Sequence, residues 1–133
     1  MPTTTWSAPV RFIEVDAQEV VFNAHYLTWC DEAMAVFFDS LEADGRDLVA
    51  FTRHARLVTT TLTWRSSASW RDTVDVDVTC TKVGRSSLTL AFVVRVAERV
   101  CCDVETVYVA VDPAGVPIPV PDDIRAALTA PDD

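Results

Sequence analysis

The chain has 133 residues, half of them hydrophobic, and a formal net charge of −9. Such a length suits one domain, residues 1–133, able to bury roughly two-thirds of its unfolded surface, and the apolar content excludes a disordered chain. The acidic balance argues against a nucleic-acid binder, which carries a basic face, yet leaves room for an anionic small molecule held by a local arginine cluster.

Taken from the N-terminus, MPTTTWSAPV lacks the basic and apolar regions of a signal peptide. No apolar run reaches the roughly 20 residues that span a bilayer, so a cytoplasmic protein without a membrane partner is expected. Residues 8 to 15 read as a short first strand. A loop follows within EVDAQEVVFNAHYLTW, residues 14 to 29, where Asp16 stands just ahead of an apolar run. The spacing of Tyr26, Leu27, Cys30, Ala33, Met34, Phe37, Phe38 and Leu41 predicts a helix from about Ala24 to Asp44, with Thr28, Asp31, Glu32, Asp39 and Glu42 on its other side. Asn23 suits the N-cap, Phe22 can staple onto Leu27, and Gly45 suits the stop.

Everything beyond reads as strand. Residues 56 to 64 are rich in β-branched types. Residues 73 to 83 alternate, with Val74, Val76, Val78 and Cys80 inward. Gly84 marks a hairpin turn, after which residues 86 to 97 alternate through Leu88, Leu90, Phe92, Val94 and Val96. Residues 100 to 112 form a last strand, and its apolar residues on both faces imply that part of it is covered twice. The proline-rich DPAGVPIPVP ends the sheet, and DDIRAAL adds one or two helical turns.

Few constellations carry chemistry on their own. Cys30, Cys80, Cys101 and Cys102 lack CxxC spacing and have only His25 and His54 to join them, so buried free thiols are expected rather than a metal site. Adjacent Cys101 and Cys102 would point to opposite faces of a strand. There is no GxSxG elbow, and Ser86 and Ser87 have no nearby histidine. Arginines 53, 56, 65, 71 and 85 suit phosphate groups by their guanidinium fork. Trp64 and Trp70 suit either a subunit interface or the core and its rim. For Asp16 three roles stand open: capping the helix, solvating a loop through an Asx-type turn, or reacting.

One long helix followed by four long antiparallel strands is an α+β layout in which a sheet wraps a central helix. With Asp16 before that helix, the chain resembles the hotdog-fold acyl-CoA thioesterases of the 4-hydroxybenzoyl-CoA thioesterase type. Their pattern is an aspartate, a short loop usually holding glycine, an apolar pair, an aromatic, then His, Asn or Tyr, and a tyrosine three residues on. Here it reads Asp16, Ala17-Gln18-Glu19, Val20-Val21, Phe22, Asn23 and Tyr26. SASWRDTVDVDV, KVGRSSLTLAFVV and IPVPDDI follow in matching order.

The resemblance implies a hydrolase acting on a small or medium acyl-CoA, with no cofactor and no metal. Asp16 would attack the thioester carbonyl or activate the attacking water, and the Asn23 backbone N–H would polarise the carbonyl. Glu19, Val21, Phe22, His25, Tyr26 and Arg85 would contact substrate, with Arg85 against the nucleotide. The chemistry is sound in itself: orphan amides and the positive end of the helix dipole favour an oxyanion, and a carboxylate among apolar neighbours is poorly solvated and more nucleophilic. Glu19 departs from the pattern where glycine is usual, and a glutamate there would reshape the loop or charge the pocket. A homodimer or homotetramer is implied. The rival readings are a non-catalytic acyl- or ligand-binding hotdog protein and a thioesterase acting on acyl-carrier protein.

Overall fold

Alternation of apolar and polar residues decides which segments can share a sheet with one buried face. In the computed structural model, which describes residues 2–41 and 48–131, five segments do so. They are β1 (Thr3–Pro9), β2 (Ala55–Trp64), β3 (Thr73–Val83), β4 (Ser87–Val96) and β5 (Arg99–Ala110). Two helices, α1 (Ala24–Ser40) and α2 (Asp122–Thr129), and 3-10 turns at Phe12–Glu14 and Leu48–His54 complete the described elements. All pairings are antiparallel, in the order β1-β3-β4-β5-β2.

The sheet's inner face is built by Val74, Val76, Val78 and Cys80 of β3 and by Leu88, Leu90, Phe92 and Val94 of β4, all buried. Against it α1 buries Tyr26, Trp29, Cys30, Ala33, Phe37 and Phe38, packing mainly on β1 and β3. Each such large side chain contributes about 1.5–3 kcal/mol by leaving water. Thr28, Asp31, Glu32 and Asp39 are exposed as expected.

Several boundaries differ from expectation for identifiable reasons. The first strand is Thr3–Pro9, not residues 8 to 15. Thr3, Thr5 and Ser7 face solvent while Thr4, Trp6 and Ala8 face inward, an alternation with too few apolar residues to stand out. Beyond it the chain turns tightly, leaving Phe12 at 70% and Ile13 at 81% exposure and Glu14 at 2%. The sheet therefore has five strands, with β1 on one edge.

Helix α1 ends at Ser40, whose hydroxyl donates to the Phe37 carbonyl at 2.6 Å and meets the Thr4 hydroxyl of β1 at 2.8 Å. Leu41 is already extended; the expected positions Glu42, Asp44 and Gly45 lie outside the described residues. Asn23 is no side-chain cap. Its backbone is itself helical and its side chain makes no capping bond. Phe22 turns an edge toward the His25 ring at 6.1 Å, and both Phe22 and Leu27 are exposed.

Cys101 and Cys102 are both buried, although alternation would send one outward. The register slips there, so that Val94 pairs with Cys102 but Arg95 with Val100; a bulge re-aims the chain. On the outer face of the segment expected to be covered twice, Val107 and Val109 are half-buried and Val111 is buried.

Candidate active site

Asp16 sits in a short, tightly bonded loop. The segments around Val15 and Val21 form an antiparallel bridge. Within it the Asp16 amide donates to the Val20 carbonyl at 2.9 Å, and the Glu19 amide to the Asp16 carbonyl at 3.0 Å. Ala17, Gln18 and Glu19 are thus a three-residue connection whose last residue must turn left-handed. Glu19 does, at φ +65°. One carboxylate oxygen of Asp16 accepts the Gln18 amide at 2.8 Å, the Asx-type contact weighed above. Among the described residues no other group donates to this half-buried side chain.

Across the bridge the chain runs from Val21 into α1. The first turn is drawn tight by bonds from the His25 amide to the Phe22 carbonyl, at 3.0 Å, and from the Tyr26 amide to the Asn23 carbonyl, at 3.3 Å. No described group accepts from the amides of Asn23 or Ala24. They are the orphan donors of a helix start, where the macrodipole adds positive potential. Asp16 lies one residue beyond one end of the bridge and Asn23 two beyond the other. The carboxylate thus lies on the turn side of the bridge, and the two open amides lie on its other side, at the start of α1.

Two residues brace that hairpin. Tyr26, expected to contact substrate, is 1% exposed within one chain. Its hydroxyl accepts the Ala68 amide at 3.1 Å, and the Ala68 carbonyl accepts the amide of buried Val21 at 2.9 Å. Burial raises the Tyr26 phenol above its usual range. Glu14 was not foreseen at all. Its carboxylate accepts the Arg11 amide at 2.7 Å and the Trp29 indole N–H at 3.0 Å, while its carbonyl accepts the Phe22 amide at 2.9 Å. Burial pushes this carboxyl up, but the Arg11 and Trp29 donors outweigh it and hold the group below the usual carboxylate range. Trp29, absent from the predicted apolar stripe, is buried with its indole N–H on this carboxylate and its ring 5.1 Å from that of Tyr26.

The remaining predicted residues divide. Phe22 is half-exposed, His25 half-buried, and the Glu19 side chain projects into solvent; all three lie on the hairpin or the first helical turn. Arg85 does not join them within one chain. The hairpin is tied to the start of β3 by the Val10 amide on the Asp72 carbonyl at 2.8 Å, whereas Arg85 follows the far end of that 11-residue strand, on the order of 30 Å away. Of the other arginines, Arg65 pairs with Asp103, Arg56 donates to the Arg53 and Ala55 carbonyls, and Arg71 lies over the Trp70 ring at 4.3 Å. Trp70 and Trp64 are partly exposed, with their rings against Phe12 and Tyr26 respectively. A groove of about 290 Å³ runs past Trp6, Arg11, Glu14, Trp29 and Glu32. A larger one of about 360 Å³ lies on the outer face of β2, β4 and β5, remote from Asp16. Among the described residues no three His, Cys, Asp or Glu side chains converge as for a metal ion, and no helix is long and apolar enough to cross a membrane.

Comparison with known proteins now bears on this arrangement. Residues 10–128 match the family described as the thioesterase-like superfamily. The chain belongs to it. This thioesterase-like chain has no match among curated proteins, but solved structures share its fold. A thioesterase from Thermus thermophilus complexed with coenzyme A and zinc is 24% identical, covering 93% of this chain and 90% of its own, with TM-score 0.83. A 1,4-dihydroxy-2-naphthoyl-CoA thioesterase from Synechocystis is 20% identical over 96% of both chains, with TM-score 0.80. A putative thioesterase from Pseudomonas aeruginosa is 26% identical over 94% of this chain and 97% of its own, with TM-score 0.78. The expected hotdog architecture is the observed one, and the family's reaction class is thioester hydrolysis.

Proposed function

We propose that this thioesterase-like protein hydrolyses a small or medium acyl-CoA, with Asp16 as nucleophile or general base and the Asn23 amide receiving the carbonyl oxygen. The observation behind this reading is the bridge between Val15 and Val21, which joins the loop carrying the Asp16 carboxylate to the helix start carrying the open amides of Asn23 and Ala24. As nucleophile, the free Asp16 oxygen adds to the thioester carbon. The C–S bond breaks, the thiolate leaves and takes up a proton, and water cleaves the resulting anhydride. As base, Asp16 takes a proton from the water that adds directly. In both routes negative charge grows on the carbonyl oxygen, where fixed amide donors at a helix start stabilise it without reorganising.

One observation favours a second reading, a non-catalytic acyl-binding protein: Asp16 already serves as a turn-former through the Gln18 amide. Thiol release from a panel of acyl-CoAs, with melting temperature measured on the same preparation of wild type and Asp16→Asn, separates the two. A reacting Asp16 predicts a fall in kcat of about 10²–10⁴-fold at little cost in stability. A turn-former predicts a lower melting temperature with turnover per folded molecule unchanged. Acyl-CoA binding without hydrolysis by the wild type would establish the second reading.

The distance from the hairpin to Arg85 suits a site shared between two copies, in which Arg85 of one reaches the nucleotide held by the other. The exposed edge of β2, carrying Leu57 and Val58 at 50% and 60% exposure, is the kind of strand that proteins pair or cover. A homodimer or homotetramer follows, and light scattering that gave a monomer at micromolar concentration would refute it.

A further inference from the structure

We propose that Glu14 is a positioning residue for thioester cleavage, its buried carboxylate fixing the Asp16 hairpin against the helix whose first amides meet the carbonyl oxygen. The inference rests on the reading of Asp16 and Asn23 given above.

The argument starts from the cost of a buried charge. A carboxylate at 2% exposure is expensive to desolvate, and a well-packed apolar residue of similar volume is often as stable or more so. What the charge adds here is direction. One oxygen takes the Arg11 amide at 2.7 Å; the other takes the Trp29 indole at 3.0 Å and the Arg11 guanidinium at 3.4 Å. The main chain of the same residue accepts the Phe22 amide at 2.9 Å. Glu14 thereby touches the turn before Asp16, the residue just before Asn23, and α1 six residues beyond Asn23.

Those three contacts link the nucleophile's loop to the body of the helix. Without the Trp29 bond, α1 keeps its packing on β1 and β3 but can slide or rotate relative to the hairpin by the fraction of an ångström that matters to a reacting pair. The adjoining groove is not read as a second ligand site, because both Glu14 oxygens are already engaged.

Glu14→Gln preserves volume, but its amide nitrogen cannot accept, so either Arg11 or Trp29 loses its partner. Trp29→Phe removes the indole donor and leaves Glu14 and Arg11 in place. Steady-state kinetics on both, with circular dichroism and melting curves, should show kcat lowered about tenfold with KM within twofold. The double variant should be no worse than the more impaired single, since both act through one bond. Folded variants with wild-type kcat, or a strictly multiplicative double variant, would overturn the proposal. Should Glu14→Gln fail to fold, Trp29→Phe decides alone, by the same kcat criterion. Asp16→Asn in parallel keeps the two readings apart. If it abolishes turnover while Glu14→Gln and Trp29→Phe do not lower kcat, only the role of Glu14 fails. If wild type and Asp16→Asn turn over equally, or neither does, the underlying reading fails and this one with it.

Discussion

Replacing Glu19 by glycine should stabilise the protein, and the size of the gain follows from one dihedral angle. Glu19 closes the loop after Asp16 at φ +65°, with its amide on the Asp16 carbonyl and its side chain exposed. A left-handed conformation costs an L-residue about 1–2 kcal/mol, because Cβ crowds the following carbonyl. Glycine escapes that cost but frees the unfolded chain by about 0.4–1 kcal/mol. The difference is a net gain of about 0.5–1 kcal/mol, opposite in sign to the loss expected where the backbone suits an ordinary residue. For a domain of this size it corresponds to a rise of about 2–3 °C in Tm. Glu19→Gln is the necessary companion, since it removes the same charge from an acidic protein while keeping Cβ. Calorimetric melting of the three proteins in one buffer should rank Glu19→Gly above wild type and Glu19→Gln. A glycine variant no more stable than Glu19→Gln would refute the strain argument.

Tyr26→Phe leaves the Ala68 amide without its acceptor and should cost about 1–3 kcal/mol in urea unfolding with KM unchanged; a raised KM at unchanged stability would make Tyr26 a substrate contact after all. Burial pushes the Cys30 thiol up to about 12 and Cys102 up to about 11, so native protein at pH 7 should resist iodoacetamide at both until unfolded, and rapid native labelling of either would contradict this. On acidification, Glu14, depressed by its Arg11 and Trp29 donors despite burial, and Asp77, depressed chiefly by the Arg95 hydrogen bond, each contribute stability that is full above about pH 4.5 and lost as pH falls through the lowered folded values. Urea midpoints should therefore hold from pH 7 to 5 and drop below pH 4, and the drop should shrink in Glu14→Gln; an equal drop in that variant would exclude Glu14 as a contributor.

What the sequence disclosed depended on how strongly each segment alternates. Strands β3 and β4 were legible because Val74 to Cys80 and Leu88 to Val94 put large apolar residues at every second position, with Asp75, Asp77 and Thr79 between them in β3 and Thr89 and the smaller Ala91 and Val93 in β4. Strand β1 was obscured because only Trp6 and Ala8 mark its inner face, and the more apolar PVRFIEV beside it drew the assignment forward. Asp16 and Asn23 were found through a pattern of neighbours, not through periodicity. Glu14 escaped notice because a glutamate in an apolar stretch reads as solvent-facing, and its partner Trp29 lies 15 residues away on another element. The register slip beside Cys101 and Cys102 went unseen because a bulge leaves no compositional trace.

The order β1-β3-β4-β5-β2 also dictates a sequence of events in folding. Strands β3, β4 and β5 are joined by tight turns and can zip locally, while β1 must find β3 across the whole first half of the chain, Thr3 meeting Thr79 and Pro9 meeting Thr73. Loop closure over that span is the slow, entropically costly step. The Asp16 hairpin lies between β1 and α1 and bonds through the Val21 amide to Ala68, in the segment ahead of β3. Pulse-labelled amide exchange during refolding should protect Val76 and Phe92 well before Asp16 and Val21, so a nascent chain would hold a finished sheet centre for some time before it could touch a thioester.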